Sequence, residues 1–316
     1  MLDRVPERAI GVDVGGTKIL AGVVRRDGSI EREAERPTPV TSEAEVVGAL
    51  EEAVGELIDG DIGALGFGVP STIDQRRGIA TGSVNIPLAN LPLRDLMHAR
   101  FGVPTGIEND ANAAAFAEWK FGAGRGTRDM LMLTLGTGVG GGVVTDGRLF
   151  RGWAELGHVV IEYDGPRCFG ACTGRGHVES LVSGSAANRV AQDVLGASAD
   201  AHDLVAHARA GDGAAVDALA HIGRYLGAAV ASFVNVFDTE LVVVGGGFGA
   251  AAGDLLLAPA AEIVTREVLA PARGRVRIVP AQLGTDAGLV GAGLIAFEAL
   301  ELVEQPAARA GASDAV

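Results

Sequence analysis

The sequence predicts an α/β protein built as two related lobes facing each other across a cleft. Three observations lead there. Segments with strand and helix patterning alternate along the chain. One hairpin pattern occurs twice. The 316 residues suffice for two ordinary domains. The first hairpin is "AIGVDVGGTKILAGVVRRDGSI" (9–30), two apolar runs joined at a glycine turn and closed by "RRDGS". The second is "LMLTLGTGVGGGVVTDGRLF" (131–150), with an apolar run, a Gly/Thr turn, a glycine-rich strand and "DGR". "AGVVRRDGSI" and "GGVVTDGRLF" are near copies. They lie about 120 residues apart, which suits two lobes better than a solenoid.

The remaining elements follow in order. "SEAEVVGALEEAVGELI" (42–58) has helical periodicity, with Ser42 placed to cap it. "IGALGFGVP" (62–70) reads as a buried strand and "TGIEND" (105–110) as another. "ANAAAFAEWKFGAG" reads as a helix ending at glycines. "ELGH" is expected to be a loop leading into a strand over "VVIE". "VDALAHIGRYLGAAVASFVNVF" (216–237) is a long apolar helix. "ELVVVGGGFG" (240–249) is a strand running through a glycine turn into a helix, and 283–303 form a closing helix.

Composition narrows the function. Apolar residues make up 48% of the chain, enough for a sizeable core, and the formal charge is −14. Such a charge disfavours nonspecific nucleic-acid binding, which needs a basic surface. Anionic ligands remain possible, because glycine-loop amides and helix N-termini bind phosphate locally. No membrane-spanning run and no signal-peptide stretch is evident, so the expected location is cytoplasmic.

The two Gly/Thr turns, around Gly15–Gly16–Thr17–Lys18 and Gly136–Thr137–Gly138, can present amides and a hydroxyl to phosphate without an obstructing side chain. Asp13 is placed to orient a Mg²⁺-bound water. Gly245–Gly246–Gly247 would allow a nucleoside close to the backbone, or simply form a crowded strand-to-helix turn. Neither a Walker A nor a Rossmann fingerprint is present. "GPRCFGACTGRGHVE" (165–179) holds the only two cysteines, with His158 ten residues before the first and His177 five after the second. Spacing leaves open a metal site, a disulfide or an ordinary loop, although a disulfide suits a cytoplasmic protein poorly.

Taken together, "GVDVGGTK", "GFGVPSTID", "IENDANAAAFAE", "LTLGTGVGGGVV", "ELGHVVIE", "CFGACTGRGHVES", "VVVGGG" and "LGTDAGLVGAG" resemble the ROK family of sugar kinases and related proteins. The resemblance implies an actin-like ATPase (ribonuclease H-like) fold with sugar and ATP in the interlobe cleft. It implies a small lobe over 1–115, possibly with a C-terminal helix at 293–304. A large lobe carrying a zinc loop would cover 116–292, and 305–316 would form a flexible tail. A homodimer or homotetramer is expected.

By the same resemblance Asp110 is the general base. Asn85, Asn109, Glu155, His158 and Glu179 surround the hexose with Asp110. Gly15, Gly16, Thr17 and Lys18, with Gly136, Thr137 and Gly138, serve the ATP phosphates, and Asp13 serves Mg²⁺. One structural Zn²⁺ is expected on His158, Cys168, Cys172 and His177, a normal tetrahedral donor set. For Asp110 the residue pattern alone offers a plainer role as helix N-cap.

The chain departs from the family pattern in places. Ser71 replaces a glycine common after the proline. "NIPLANLP" lacks the tryptophan often found near the sugar. The first zinc-loop cysteine comes two residues early, and His177 replaces a third cysteine. The expected activity is ATP-dependent phosphorylation of glucose. Mannose, fructose, allose or an N-acetylated amino sugar is the alternative acceptor, and a non-catalytic sugar sensor the alternative class. Some members are repressors with an N-terminal helix-turn-helix segment. A first strand near residue 9 and the acidic charge favour a kinase.

Overall fold

A computed structural model describes residues 6–83 and 86–304. The chain divides into two compact units, one holding residues up to Ala117 together with those from Asp286 onward, the other Glu118–Thr285.

The first unit begins with β1 (Arg8–Val14), β2 (Lys18–Arg25) and β3 (Ile30–Pro37), then α1 (Glu43–Leu57) and β4 (Ile62–Val69). A small sheet follows from β5 (Thr72–Asp74), β6 (Ile79–Gly82) and β7 (Ala89–Leu91). Then come α2 (Leu93–Phe101), β8 (Thr105–Asn109) and α3 (Asp110–Phe121), which runs on into the second unit. That unit contains β9 (Met130–Leu135), β10 (Val139–Thr145), β11 (Arg148–Leu149), α4 (Val178–Val182), α5 (Gly184–Leu195), α6 (Ala201–Arg209) and α7 (Gly213–Phe237). It continues with β12 (Leu241–Gly245), α8 (Gly247–Ala252), α9 (Asp254–Glu267) and β13 (Arg277–Pro280). The closing helix α10 (Ala287–Glu304) belongs to the first unit.

The two main sheets have one topology. The first is ordered β3-β2-β1-β4-β8 and the second β11-β10-β9-β12-β13. In each, the first three strands in chain order form an antiparallel meander, and the last two add in parallel. The near copies in the sequence are β2–β3 and β10–β11, the same hairpin in both sheets. This duplicated order is that of the ribonuclease H-like, actin-like ATPase fold.

Local chemistry explains the main elements. Ser42 accepts from the Glu45 amide at 3.3 Å and caps α1. That helix buries Val46, Leu50, Ala53, Val54 and Leu57 against its sheet. Full burial of a side chain such as Leu50 is worth about 2 kcal/mol. α10 lies so close to the first sheet that side chains are excluded on the strands. A Cβ at Gly11 would stand 2.6 Å from the Gly293 amide nitrogen, and one at Gly106 2.7 Å from the Ile295 carbonyl. No helix among the described residues is long and apolar enough to cross a membrane.

The strand expected over "VVIE" is absent. A single turn of 3₁₀ helix covers Leu156–His158, followed only by an isolated bridge between Val160 and His177. Val159 and Val160 are both exposed, so no sheet neighbour holds this stretch extended. The loop expected at "ELGH" is thus that 3₁₀ turn. The tail beyond 304 and Asn85 lie outside the described residues.

Candidate active site

In the first unit β8 ends at Asn109 and α3 starts at Asp110 with no connecting residue. A helix start leaves its first amides without intrahelical partners. Asn109 supplies one: its Oδ1 accepts from the Ala111 and Asn112 amides at 3.0 and 3.1 Å. Asn109 is therefore the cap, and Asp110 is the first helical residue. The Asp110 Oδ1 accepts from its neighbour Ala111 N at 2.9 Å and from Asn109 Nδ2 at 3.0 Å. Behind this pair lies Glu108, only 1% exposed. It accepts from Asn109 N, Asn112 Nδ2 and Gln75 Nε2 at 3.0, 3.1 and 3.0 Å.

Asp13 comes one residue before the end of β1, directly against Gly288 in the first turn of α10, where no side chain would fit. Burial, then the negative charge of Asp110, pushes its carboxyl up to about 6, against a smaller opposing pull from Lys18. The turn after it is closed by Gly15 N donating to Lys18 O at 2.9 Å, and Thr38 Oγ1 donates to Gly15 O at 2.7 Å. Gly16, Thr17 and Lys18 are exposed. The Lys18 ammonium pairs with Glu35 at 3.0 Å, and that partner raises its pKa.

In the second unit the Gly136–Thr137–Gly138 turn joins β9 to β10. It is closed by Gly136 N donating to Gly138 O at 3.0 Å. The start of α5 holds it through Gly184 N to Gly136 O at 2.8 Å and Ser185 N to Thr137 O at 3.3 Å. Beside the turn is a cavity of ≈ 410 Å³, with Gly136 and Thr137 at one part and Asn188, His202, Gly247 and Phe248 among its other walls. Gly245 ends β12, and the next two glycines divide the two roles offered by the sequence. Gly246 (φ 81°) is the crowded turn, since a Cβ there would strike the Leu135 backbone. Gly247 lines the cavity and has nothing within 4 Å of its Cβ position. Sequence reasoning missed Ser185, Asn188, His202 and Phe248. The "SGS" cap of α5 was the available signal for Ser185; His202 and Phe248 reach the cavity only through folding.

The four residues expected to hold zinc converge. One ligand atom from each of His158, Cys168, Cys172 and His177 lies within 4.8 Å of all the others. The two Nδ1 atoms are 3.3 Å apart, Cys172 Sγ is 3.6 Å from His177 Nδ1, and Cys168 Sγ is 3.9 Å from His158 Nδ1. Zn–S bonds of about 2.3 Å and Zn–N bonds of about 2.05 Å give tetrahedral edges of about 3.3 Å between nitrogens and about 3.6 Å between nitrogen and sulfur. The donor set and its spacing fit Zn²⁺. Without a cation, burial, with Glu179 and Cys172 nearby, pushes the Cys168 thiol up to about 12. A coordinated metal would reverse that.

Glu179 lies in the first turn of α4, two residues past His177. Its Oε2 accepts from Val139 N at 2.9 Å, and the Cys168 thiol donates to its Oε1 at 3.6 Å. It thus joins the cysteine-histidine loop to the strand that follows the Gly136–Gly138 turn. Glu155 and His158 are exposed on either end of the 3₁₀ turn.

A duplicated sheet of this order, with a Gly/Thr turn in each copy, defines the actin-like class of phosphate-handling α/β proteins. Within that class, the chain belongs to the ROK family, whose model matches residues 9–299. It is 39% identical over 313 residues to the glucokinase of Streptomyces coelicolor, covering 92% of this chain and 97% of that protein. It is 37% identical over 295 residues to the N-acetylmannosamine kinase of Citrobacter koseri, covering 91% and 98%. The fold matches the ROK family glucokinase from Streptomyces griseus in complex with glucose and AMPPNP. The TM-score is 0.79 at 36% identity, over 92% of this chain and 99% of that one.

Proposed function

We propose that this protein is an ATP-dependent sugar kinase that converts glucose to glucose 6-phosphate. The observation that carries the reading is 39% identity to a glucokinase across nearly the whole of both chains. Asp110, in the "END" motif, fits the same chemistry. It accepts the proton of the sugar hydroxyl as that oxygen bonds to the γ-phosphorus and the bond to the β,γ-bridging oxygen breaks, releasing ADP. Asn109 orients Asp110 and, with Glu155, His158 and Glu179, binds the hexose hydroxyls, each of which needs a partner once buried.

The ≈ 410 Å³ cavity takes the nucleoside part of ATP, and the adjoining Gly136–Gly138 turn takes its phosphates. Gly15, Gly16 and Thr17 are assigned to phosphate as well. Lys18 has the weaker case, because Glu35 holds its ammonium. Asp13, destabilised as an anion by burial and by Asp110, gains from a nearby Mg²⁺, a cation suited to carboxylate oxygen. Zn²⁺ on the four loop residues would supply no chemistry to the transfer; it would fix the loop that carries His158 and Glu179.

N-acetylmannosamine is the acceptor next in line, given the 37% identity to a kinase for that sugar. The test is ADP release on mixing the protein with Mg²⁺–ATP and single sugars, ranked by kcat/KM. Glucose is expected first. ADP release with N-acetylmannosamine ranked above glucose would move the assignment to that substrate. No release with any sugar would favour a sensor.

A further inference from the structure

Ser71 follows Pro70 at the exit from β4. It is 4% exposed. Its backbone N donates to Val69 O at 2.8 Å, a tight turn across the proline. Its hydroxyl donates to Thr72 O at 2.9 Å and accepts from Gly82 N at 3.2 Å. The ladder between β5 and β6 is irregular at this place, with a register shift between Thr72 and Ile73. The hydroxyl thus ties the end of β6 at the irregular end of the ladder. A glycine at 71 could make neither hydroxyl bond.

The same residue also reaches the β8–α3 junction. Its carbonyl accepts from Asn109 Nδ2 at 3.4 Å, and that amide nitrogen also donates to Asp110 Oδ1 at 3.0 Å. The β5–β6 hairpin makes a second contact there, from Gln75 Nε2 to Glu108 Oε2 at 3.0 Å. A side chain that fixes the hairpin therefore also fixes the amide of Asn109 beside the proposed base.

We propose that Ser71 is a positioning residue for the sugar: through its hydroxyl it sets the hairpin, and through its carbonyl the Asn109 amide, and so it tunes which hexose the site accepts. This rests on the sugar-kinase reading above. The wild-type protein is assayed first with glucose, mannose and N-acetylmannosamine; turnover of none of them would count against that reading and not against Ser71 in particular.

The variants are Ser71→Gly and Ser71→Ala, each of which removes the hydroxyl. Loss of one buried hydrogen-bonding group predicts a rise in glucose KM of about 2- to 10-fold. The KM for ATP should stay within about twofold, and the glucose-to-mannose ratio of kcat/KM should shift by about threefold or more. A merely structural role would lower the melting temperature and all kcat/KM values together. Unchanged glucose KM in both variants, or parallel loss for every sugar and for ATP, would overturn the proposal.

Discussion

Glu179 and Val139 are bound through a side-chain oxygen and a backbone amide 2.9 Å apart, across forty positions of sequence. Val139 opens β10 directly after the Gly136–Gly138 turn, and Glu179 lies two residues past His177 of the cysteine-histidine loop. A Cβ at Gly138 would run into the Glu179 carboxylate, so the turn is held against that side chain. The other anchors of the turn are the amides of Gly184 and Ser185.

Glu179→Ala should therefore weaken binding of ATP analogues in the absence of sugar. Glu179→Gln keeps an acceptor for the Val139 amide and removes the same charge. The Ala variant is expected to bind about fivefold more weakly than the Gln variant, the worth of one net hydrogen bond. Calorimetry with AMPPNP reads this directly, and equal affinities would leave the turn independent of Glu179.

Gly136 lines the cavity, and nothing lies within 4 Å of its Cβ position. Gly136→Val should fold normally and lose nucleotide affinity by an order of magnitude or more, because its side chain would occupy the path of the phosphates. Sugar binding should persist. Unaltered nucleotide affinity would remove this turn from the donor site.

Protein purified without added zinc is expected to carry about one zinc per chain. Cys168→Ser and His177→Ala should lose it and should lose sugar affinity more than nucleotide affinity. Metal-free wild type with full activity, or both variants with normal sugar affinity, would contradict a role for the metal in shaping the sugar site.

Asp13 gives a pH signature. Its carboxyl titrates at about 6 in the fold against 3.8 for the unreacted side chain, so between these values the folded protein holds a proton that the unfolded chain has released. Its contribution to stability is fully present below about 3.8 and is lost as pH rises through about 6, by at most about 3 kcal/mol. In metal-free buffer Asp13→Asn should gain melting temperature over wild type at pH 7.5 and show little gain at pH 4. A constant difference across that range would mean that Asp13 is not strained as an anion.

The fold was largely legible because its strongest signals are local and repeated. Apolar strands flanking Gly/Thr turns occur twice, and both copies form the meander of a main sheet. Ser42 and the helix at 43–57 follow from side-chain chemistry within a few residues. The stretch after His158 misled: Val159, Val160 and Ile161 have strand composition, yet only one bridge, to His177, is available. Strand propensity needs a neighbouring strand to be realised. At the site, the grouping of His158, Cys168, Cys172 and His177 was legible from residue type and resemblance. The capping role of Asn109, the engagement of Lys18 by Glu35 and the cavity wall at Asn188, His202 and Phe248 were not. Each depends on which rotamer or which distant element the fold brings close.

The central claim is that Asp110 takes the proton from the sugar hydroxyl. Asp110→Asn keeps the shape and, through its own amide oxygen, the contact to the Ala111 amide, while Asn109 still caps α3. The measurement is kcat with saturating Mg²⁺–ATP and glucose, alongside glucose affinity and a melting curve. The account predicts a folded protein that binds glucose nearly as wild type does and turns over about 10²- to 10⁴-fold more slowly. A correctly folded Asp110→Asn protein with near-wild-type kcat would contradict it.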